Sequence, residues 1–136
     1  EPPQAPDIDT NRGSIIIVVA TDAPLLSHQL KRIARRASLG VARTGGTAGN
    51  GSGDIFVAFS TANANAARSR PFAELTMLSN SQITPVFDAT VEATEEAIIN
   101  ALIAAETMVG RGGNRSEALD HDRLRAILER YNRLVQ

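Results

Sequence analysis

Apolar positions along the chain fall into five blocks. Ile15 to Val19 are five consecutive β-branched residues, a run without helical periodicity that predicts a strand buried on both faces. After Ala23-Pro24, Leu25, Leu26, Gln29, Leu30, Ile33, Ala34 and Ala37 recur every three or four residues. His28, Lys31, Arg32, Arg35 and Arg36 take the other side, so this block predicts an amphipathic surface helix. Thr21 or Asp22 is placed to cap it, Pro24 sits near its first position, and Gly40 stops it. Asp54 to Ser60, apolar almost throughout, predicts a second strand, central in its sheet. Val86 to Val109 holds the strongest helical pattern, with Val91, Ile98, Ala101, Leu102, Ala105 and Val109 on one face. Thr94 is the polar residue within that stripe and Glu95 lies at its edge. Gly110 to Asn114 ends this helix, and a last amphipathic helix runs from about Asp120 to Leu134 through Leu124, Ile127, Leu128 and Tyr131.

The connections sharpen the picture. Glu1 to Asn11 holds three of the six prolines and three acids, the composition of a linker or tail. Arg43 to Gly53 contains five glycines in eleven residues, which requires positive φ or close backbone approach somewhere along it. Thr61 to Pro71 is small, polar and basic, a surface loop; Phe72 to Leu78 fits a short strand or a turn. Strand, helix, loop, strand, helix, helix is the order of an α/β layered protein.

With 136 residues and 43% hydrophobic content, the chain can bury one compact core. A formal net charge of -1 gives no attraction for nucleic acid or an anionic membrane surface. The absence of cysteine excludes disulfides, thiolate catalysis and the common structural zinc sites. It is compatible with cytosol and periplasm alike. No apolar run approaches the roughly 18 residues of a membrane-spanning helix; a signal belonging to a longer precursor would lie outside this sequence.

Three features compete for chemistry. The glycine loop runs from a helix into a strand and lacks the Lys and Ser/Thr of a nucleotide loop, so a connector is favoured over a phosphate cradle. Its end, Ser52 and Asp54, would nevertheless be held firmly by the strand that follows. His28 and His121 each lie on the polar face of a predicted helix, far apart in sequence, and read as surface residues rather than metal ligands; no metal or other cofactor is called for. Ser14, which opens the first strand, needs no histidine if the Gly13-Ser14 bond is cut. Its own α-amine, with an ordinary pKa of about 7.7–8.0, could then take the hydroxyl proton. A serine opening a strand is otherwise structural.

Several long segments in order resemble one family. They are Gly13-Ser14-Ile15-Ile16-Ile17-Val18-Val19-Ala20-Thr21-Asp22-Ala23-Pro24-Leu25-Leu26, Gln29 to Arg36, Ala42-Arg43-Thr44-Gly45, and Asn50-Gly51-Ser52-Gly53-Asp54 with the strand to Thr61. They resemble the β-subunit of the L-aminopeptidase/D-esterase-amidase and β-aminopeptidase family of self-processing serine peptidases. The resemblance implies an αββα sandwich shared with ornithine acetyltransferases and a precursor that cleaves itself at Gly13-Ser14. Residues 1–13 would then end the α-subunit and residues 14–136 form the β-subunit, with Ser14 as nucleophile. Ser52 would help polarise it, and Asp54, one methylene shorter than the glutamate of some members, would contact the new α-amine. It further implies an α-subunit partner that supplies part of the oxyanion hole and pocket, a small peptide, amide or ester substrate, and an oligomer of αβ pairs. Two other readings stand beside it: acyl transfer of the ornithine acetyltransferase kind, which uses an N-terminal threonine, and a non-catalytic assembly subunit.

Overall fold

The computed structural model describes residues 13–134, so the predicted tail over Glu1 to Asn11 lies outside the described residues. The chain divides into two compact units at Glu95/Glu96, described separately below.

The first unit is a β–α–β crossover followed by most of a long helix. Strand β1 (Ile16–Thr21) pairs in parallel with β2 (Ile55–Ser60), Ile16 opposite Ile55 through Thr21 opposite Ser60. Helix α1 (Ser27–Arg43) connects them and covers one face of this pair. Leu25, Ile33, Ile83 and Phe87 form the buried cluster, with Val19, Ala23, Leu30, Ala58, Leu78 and Val86 packed around it. The other face is open: Ile16 is 69% exposed and Val18 60%, with Ile55, Val57 and Phe59 beside them. The expectation of strands buried on both faces, and of a central second strand, is therefore corrected for the described residues. Their sheet has two strands and one covering layer, so uniformly apolar strands leave alternate side chains uncovered.

Helix α1 departs from expectation at both ends. Thr21 Oγ1 accepts the Ala23 N–H at 3.1 Å instead of capping the helix. The following segment stays extended because the Leu78 N–H reaches the Pro24 carbonyl at 2.7 Å, while Leu25 enters the core. The helix then passes through Gly40 and ends three residues later, where Gly45 (φ +93°) closes it. The Gly46 N–H reaches the Val41 carbonyl and the Gly45 N–H the Ala42 carbonyl, satisfying two end carbonyls. Here the glycine-rich stretch uses its positive φ.

Gln29, fully buried, joins the start of α1 to the chain before α2. Its Oε1 accepts the Leu26 N–H at 3.1 Å, and its Nε2 donates to the Leu78 carbonyl at 2.8 Å and Asn80 Oδ1 at 3.0 Å. Gln29→Leu keeps the volume but strands these partners, so it should destabilise the protein by about 1–2 kcal/mol, measured as a drop in denaturant midpoint. An unchanged midpoint would mean the three bonds contribute nothing net.

Helix α2 (Thr84–Ala104) has Pro85 in its first turn, where a missing N–H costs little. Its buried residues are Phe87, Thr90, Val91 and Thr94. The two threonines are tolerated because each hydroxyl donates back to the carbonyl four residues earlier, at 2.7 Å. Arg36 stacks 3.5 Å from the Phe87 ring centre, and Arg43 pairs with Glu95 at 3.0 Å on the surface. No regular element forms over Phe72 to Leu78; the segment is tied to the loop before it by Asn63, whose side chain bonds both the N–H and carbonyl of Thr76.

In the second unit the predicted helix stops five residues short of Val109. Met108–Val109 (β3) instead pairs antiparallel with Arg115–Ser116 (β4). The glycines meant to end a helix form the hairpin tip, with the Gly110 N–H on the Asn114 carbonyl at 2.7 Å. Helix α3 (His121–Arg130) starts at Asp120, whose carboxylate accepts the Arg123 N–H at 2.9 Å. It ends four residues before the predicted Leu134.

Candidate active site

Parallel pairing of β1 with β2 decides which residues meet. The ladder begins where the Ile55 N–H donates to the Ile15 carbonyl at 2.9 Å, so residues 14 and 15 lie beside residues 53 and 54 although 39 positions separate them. At this end side chains take over from the backbone. The Asp54 carboxylate accepts the Ile15 N–H at 3.2 Å, and Ser14 Oγ accepts the Gly53 N–H at 2.9 Å. Each chain thus offers one side-chain oxygen to the other's amide. The two bonds fix the start of β1 against the end of the glycine loop.

Ser52 completes the group. Its Oγ donates to Asp54 Oδ1 at 2.5 Å, a short charge-assisted bond, so Oδ1 takes both the Ser52 hydroxyl and the Ile15 amide. Ser52 and Asp54 are half-buried; Gly13 and Ser14 are exposed. Gly13, Ser14, Ser52 and Asp54, the residues singled out from the sequence, are therefore brought to one place at the amino ends of the parallel strands. The nitrogen that Asp54 reaches is the amide of residue 15. Gly53, between the two polar residues of its motif, was not singled out, although the spacing of Ser52 and Asp54 around it was visible.

The histidines take no part in this group of bonds. His28 is in the first turn of α1, which follows the carboxyl end of β1, the end away from Ser14. A cleft of about 380 Å³ opens there, lined by Leu25, Ser27, His28, Ser60 and Asn63 among others. In the second unit the His121 ring meets the Ile103 carbonyl at 3.0 Å. Among the described residues no group of three His, Asp or Glu side chains is placed to hold a metal ion, and no helix is long and apolar enough to cross a membrane.

Chemically, the arrangement is a primary hydroxyl at an exposed strand start, met by a backbone donor and backed by a hydroxyl–carboxylate pair. Among the described residues of this unit no histidine bonds to it, His28 lying at the other end of β1. The chain belongs to peptidase family S58, which it matches over residues 2–116. Among curated relatives it is 53% identical over 124 residues to the β-peptidyl aminopeptidase BapA of Sphingosinicella microcystinivorans, covering 90% of this chain and 31% of that protein. BapA of Sphingosinicella xenopeptidilytica is 42% identical over 121 residues, 88% of this chain and 30% of its own length. Among solved structures, the L-aminopeptidase D-Ala-esterase/amidase of Ochrobactrum anthropi superposes with a TM-score of 0.82 at 52% identity, covering 90% of this chain and 35% of that one. That enzyme is described as a prototype for the serine aminopeptidases and a new variant among the Ntn hydrolase fold. The PH0078 protein of Pyrococcus horikoshii OT3 superposes with a TM-score of 0.83 at 54% identity, over 90% of this chain and 35% of that one. The fold class is α/β, as the alternation of elements predicts, and the chain spans about a third of the length of these relatives.

Proposed function

We propose that this chain carries the nucleophile of a self-processing serine aminopeptidase, amidase or esterase. In this reading residues 1–13 end the α-subunit, residues 14–136 are the β-subunit, and the cleaved bond is Gly13-Ser14. The observation that carries it is the bond of the Gly53 N–H, between Ser52 and Asp54, to Ser14 Oγ at the head of the parallel strands, in a chain of a peptidase family. A hydrolase reading is favoured over acyl transfer of the ornithine acetyltransferase kind by serine, not threonine, at position 14 and by the family.

After cleavage the Ser14 α-amine becomes the base. Oγ attacks the carbonyl carbon of an N-terminal aminoacyl amide or ester, its proton passes to the amine, and the amine returns it to the leaving group. Water then hydrolyses the acyl-Ser14 ester. Ser52 and Asp54 hold the geometry: the carboxylate accepts the Ser52 O–H hydrogen bond, leaving the Ser52 lone pairs free for the ammonium form of the amine. A base of this kind works only when neutral, so kcat/KM should rise with pH through the ordinary α-amine range, about 7.7–8.0, and level off above it. A profile that is flat from pH 6 to 9 would remove the amine as base.

The activities for which the relatives are named support a substrate class of N-terminal residues of peptides, D-alanyl amides and esters, and β-peptides. The remaining two thirds of the precursor would cover the open apolar face of β1 and β2 as the second sheet of an αββα sandwich and supply the oxyanion donors and pocket walls around the exposed Ser14. Assembly as an oligomer of αβ pairs follows the same reading.

An intact-mass spectrum of the purified full-length protein tests the core of it. A species beginning at Ser14 with a separate partner ending at Gly13 is expected. A single uncut mass that nevertheless turns over L-alanyl, D-alanyl or β-alanyl p-nitroanilide would refute the amine mechanism. For the carboxylate, Asp54→Asn should slow self-cleavage about tenfold, followed as the appearance of that species, because the neutral amide is a weaker acceptor for Ser52 and Ile15. Unchanged kinetics would reduce Asp54 to a strand clip.

A further inference from the structure

A side chain at Gly53 would press on Ser14. The glycine's φ lies outside the left-handed region, so positive φ is not what calls for glycine here. A Cβ built there meets a single heavy atom within 4 Å, and that atom is Ser14 Oγ at 3.3 Å. The same residue's N–H donates to that oxygen at 2.9 Å. The side chain is absent on the side where the nucleophile stands, and the amide points at it. No other bond of this N–H is found among the described residues, although the ladder begins two residues later.

We propose that the Gly53 backbone N–H is a catalytic group of this site, holding Ser14 Oγ in line for attack and stabilising the charge that oxygen gains each time an acyl group leaves it. The proposal rests on the reading of Ser14 as nucleophile. Oγ has two lone pairs; one accepts the Gly53 N–H and the other remains for the carbonyl carbon. In deacylation, water adds to the ester carbonyl while the α-amine takes a water proton. The C–Oγ bond then breaks, its electron pair goes to Oγ, and the ammonium returns the proton there. Before the proton arrives, the negative charge sits 2.9 Å from a fixed backbone dipole. This is distinct from an oxyanion hole, which serves the carbonyl oxygen of the substrate. It acts on both turnover and self-cleavage, since both esters hang on the same atom.

The decisive experiment replaces the Ser52–Gly53 amide with an ester in the full precursor, by in vitro translation with glycolic acid at position 53. No side chain changes, and the N–H becomes an ester oxygen, which cannot donate. After processing has run to completion, L-alanyl, D-alanyl and β-alanyl p-nitroanilides are screened, and kcat and KM are measured with the one the parent turns over best. The expected result is a fall in kcat of about 10²-fold, of the size seen on removing one preorganised donor, with KM falling alongside it because acyl-enzyme builds up. Acyl-enzyme should accumulate on the piece beginning at Ser14, seen as a mass increment and an initial burst, because the step that needs Oγ to leave is the one impaired. A structural role alone would lower the thermal midpoint without trapping acyl-enzyme. A kcat within twofold of the parent, or a loss without accumulated acyl-enzyme, overturns the proposal. If the ester form does not process, Gly53→Ala decides: it keeps the N–H but pushes Oγ aside, and a roughly tenfold loss of kcat at unchanged thermal midpoint is expected, whereas full activity overturns the proposal. Failure of the parent protein to form an acyl-Ser14 species at all would instead remove the peptidase reading.

Discussion

Ser14→Ala in the full-length protein should leave the Gly13-Ser14 bond uncut and lower aminoacyl p-nitroanilide turnover by at least about 10³-fold, the order seen when a serine nucleophile is removed from a site whose other parts remain. Nothing else in the structure depends heavily on this side chain. Ser14 is exposed, and its Oγ takes one backbone bond, worth about 1 kcal/mol net. The variant should therefore fold, with a thermal midpoint close to the parent's, so that the loss reports chemistry. Three measurements suffice: intact mass, initial rate and thermal midpoint. An uncut, inactive and folded variant supports Ser14 as nucleophile. A variant with full activity would return the chain to the assembly-subunit reading, in which Ser14 only starts a strand.

The largest effect on stability is expected at Gly40. In an exposed helix interior, replacing glycine by alanine gains about 1 kcal/mol through helix propensity. Here the helix is packed. A Cβ at position 40 would stand 2.5 Å from Thr94 Cβ and 2.7 Å from the Val91 carbonyl oxygen. Neither atom can be moved by a change of rotamer, because one is backbone and the other is bonded directly to it. Relief requires α1 and α2 to separate by roughly 1 Å, loosening the contacts around Ile33 and Phe87, and over-packing of this kind outweighs the propensity gain. Gly40→Ala should cost about 3 kcal/mol net, read as a lowered denaturant midpoint. Thr94→Gly in the same chain should recover part of it, a coupling that a double-mutant cycle measures. A neutral or more stable Gly40→Ala protein would show that the close approach of the two helices imposes no constraint.

These two residues illustrate how far a one-dimensional reading reaches. Ser14 was visible because its chemistry is local: hydroxyl, potential amine and strand start are within one residue. Gly40 was read as a helix stop because glycine is a poor helix former, and that rule looks only at neighbours in the chain. What keeps Gly40 inside α1 is Val91 and Thr94, more than 50 positions away. Thr94 was seen as a polar interruption of an apolar stripe, and its hydroxyl turns out to be satisfied within its own helix. The run to Val109 was extended too far because Met108 and Val109 suit a helical stripe as well as a strand. Their pairing with Arg115 and Ser116 depends on a hairpin that periodicity does not describe.

The sequence by itself determined the α/β class, the two strands and the inward face of α1, because each follows from side-chain chemistry and spacings of two to four residues. Tertiary structure alone decided three things. Parallel register set Ser14 against Gly53 and Ile15 against Asp54, since strand pairing acts across the 39 positions that separate them in sequence. Helix packing made Gly40 a point of contact. And the single layer over the β1–β2 pair left an apolar face open, because burial depends on which elements are present to cover a strand as well as on how apolar it is.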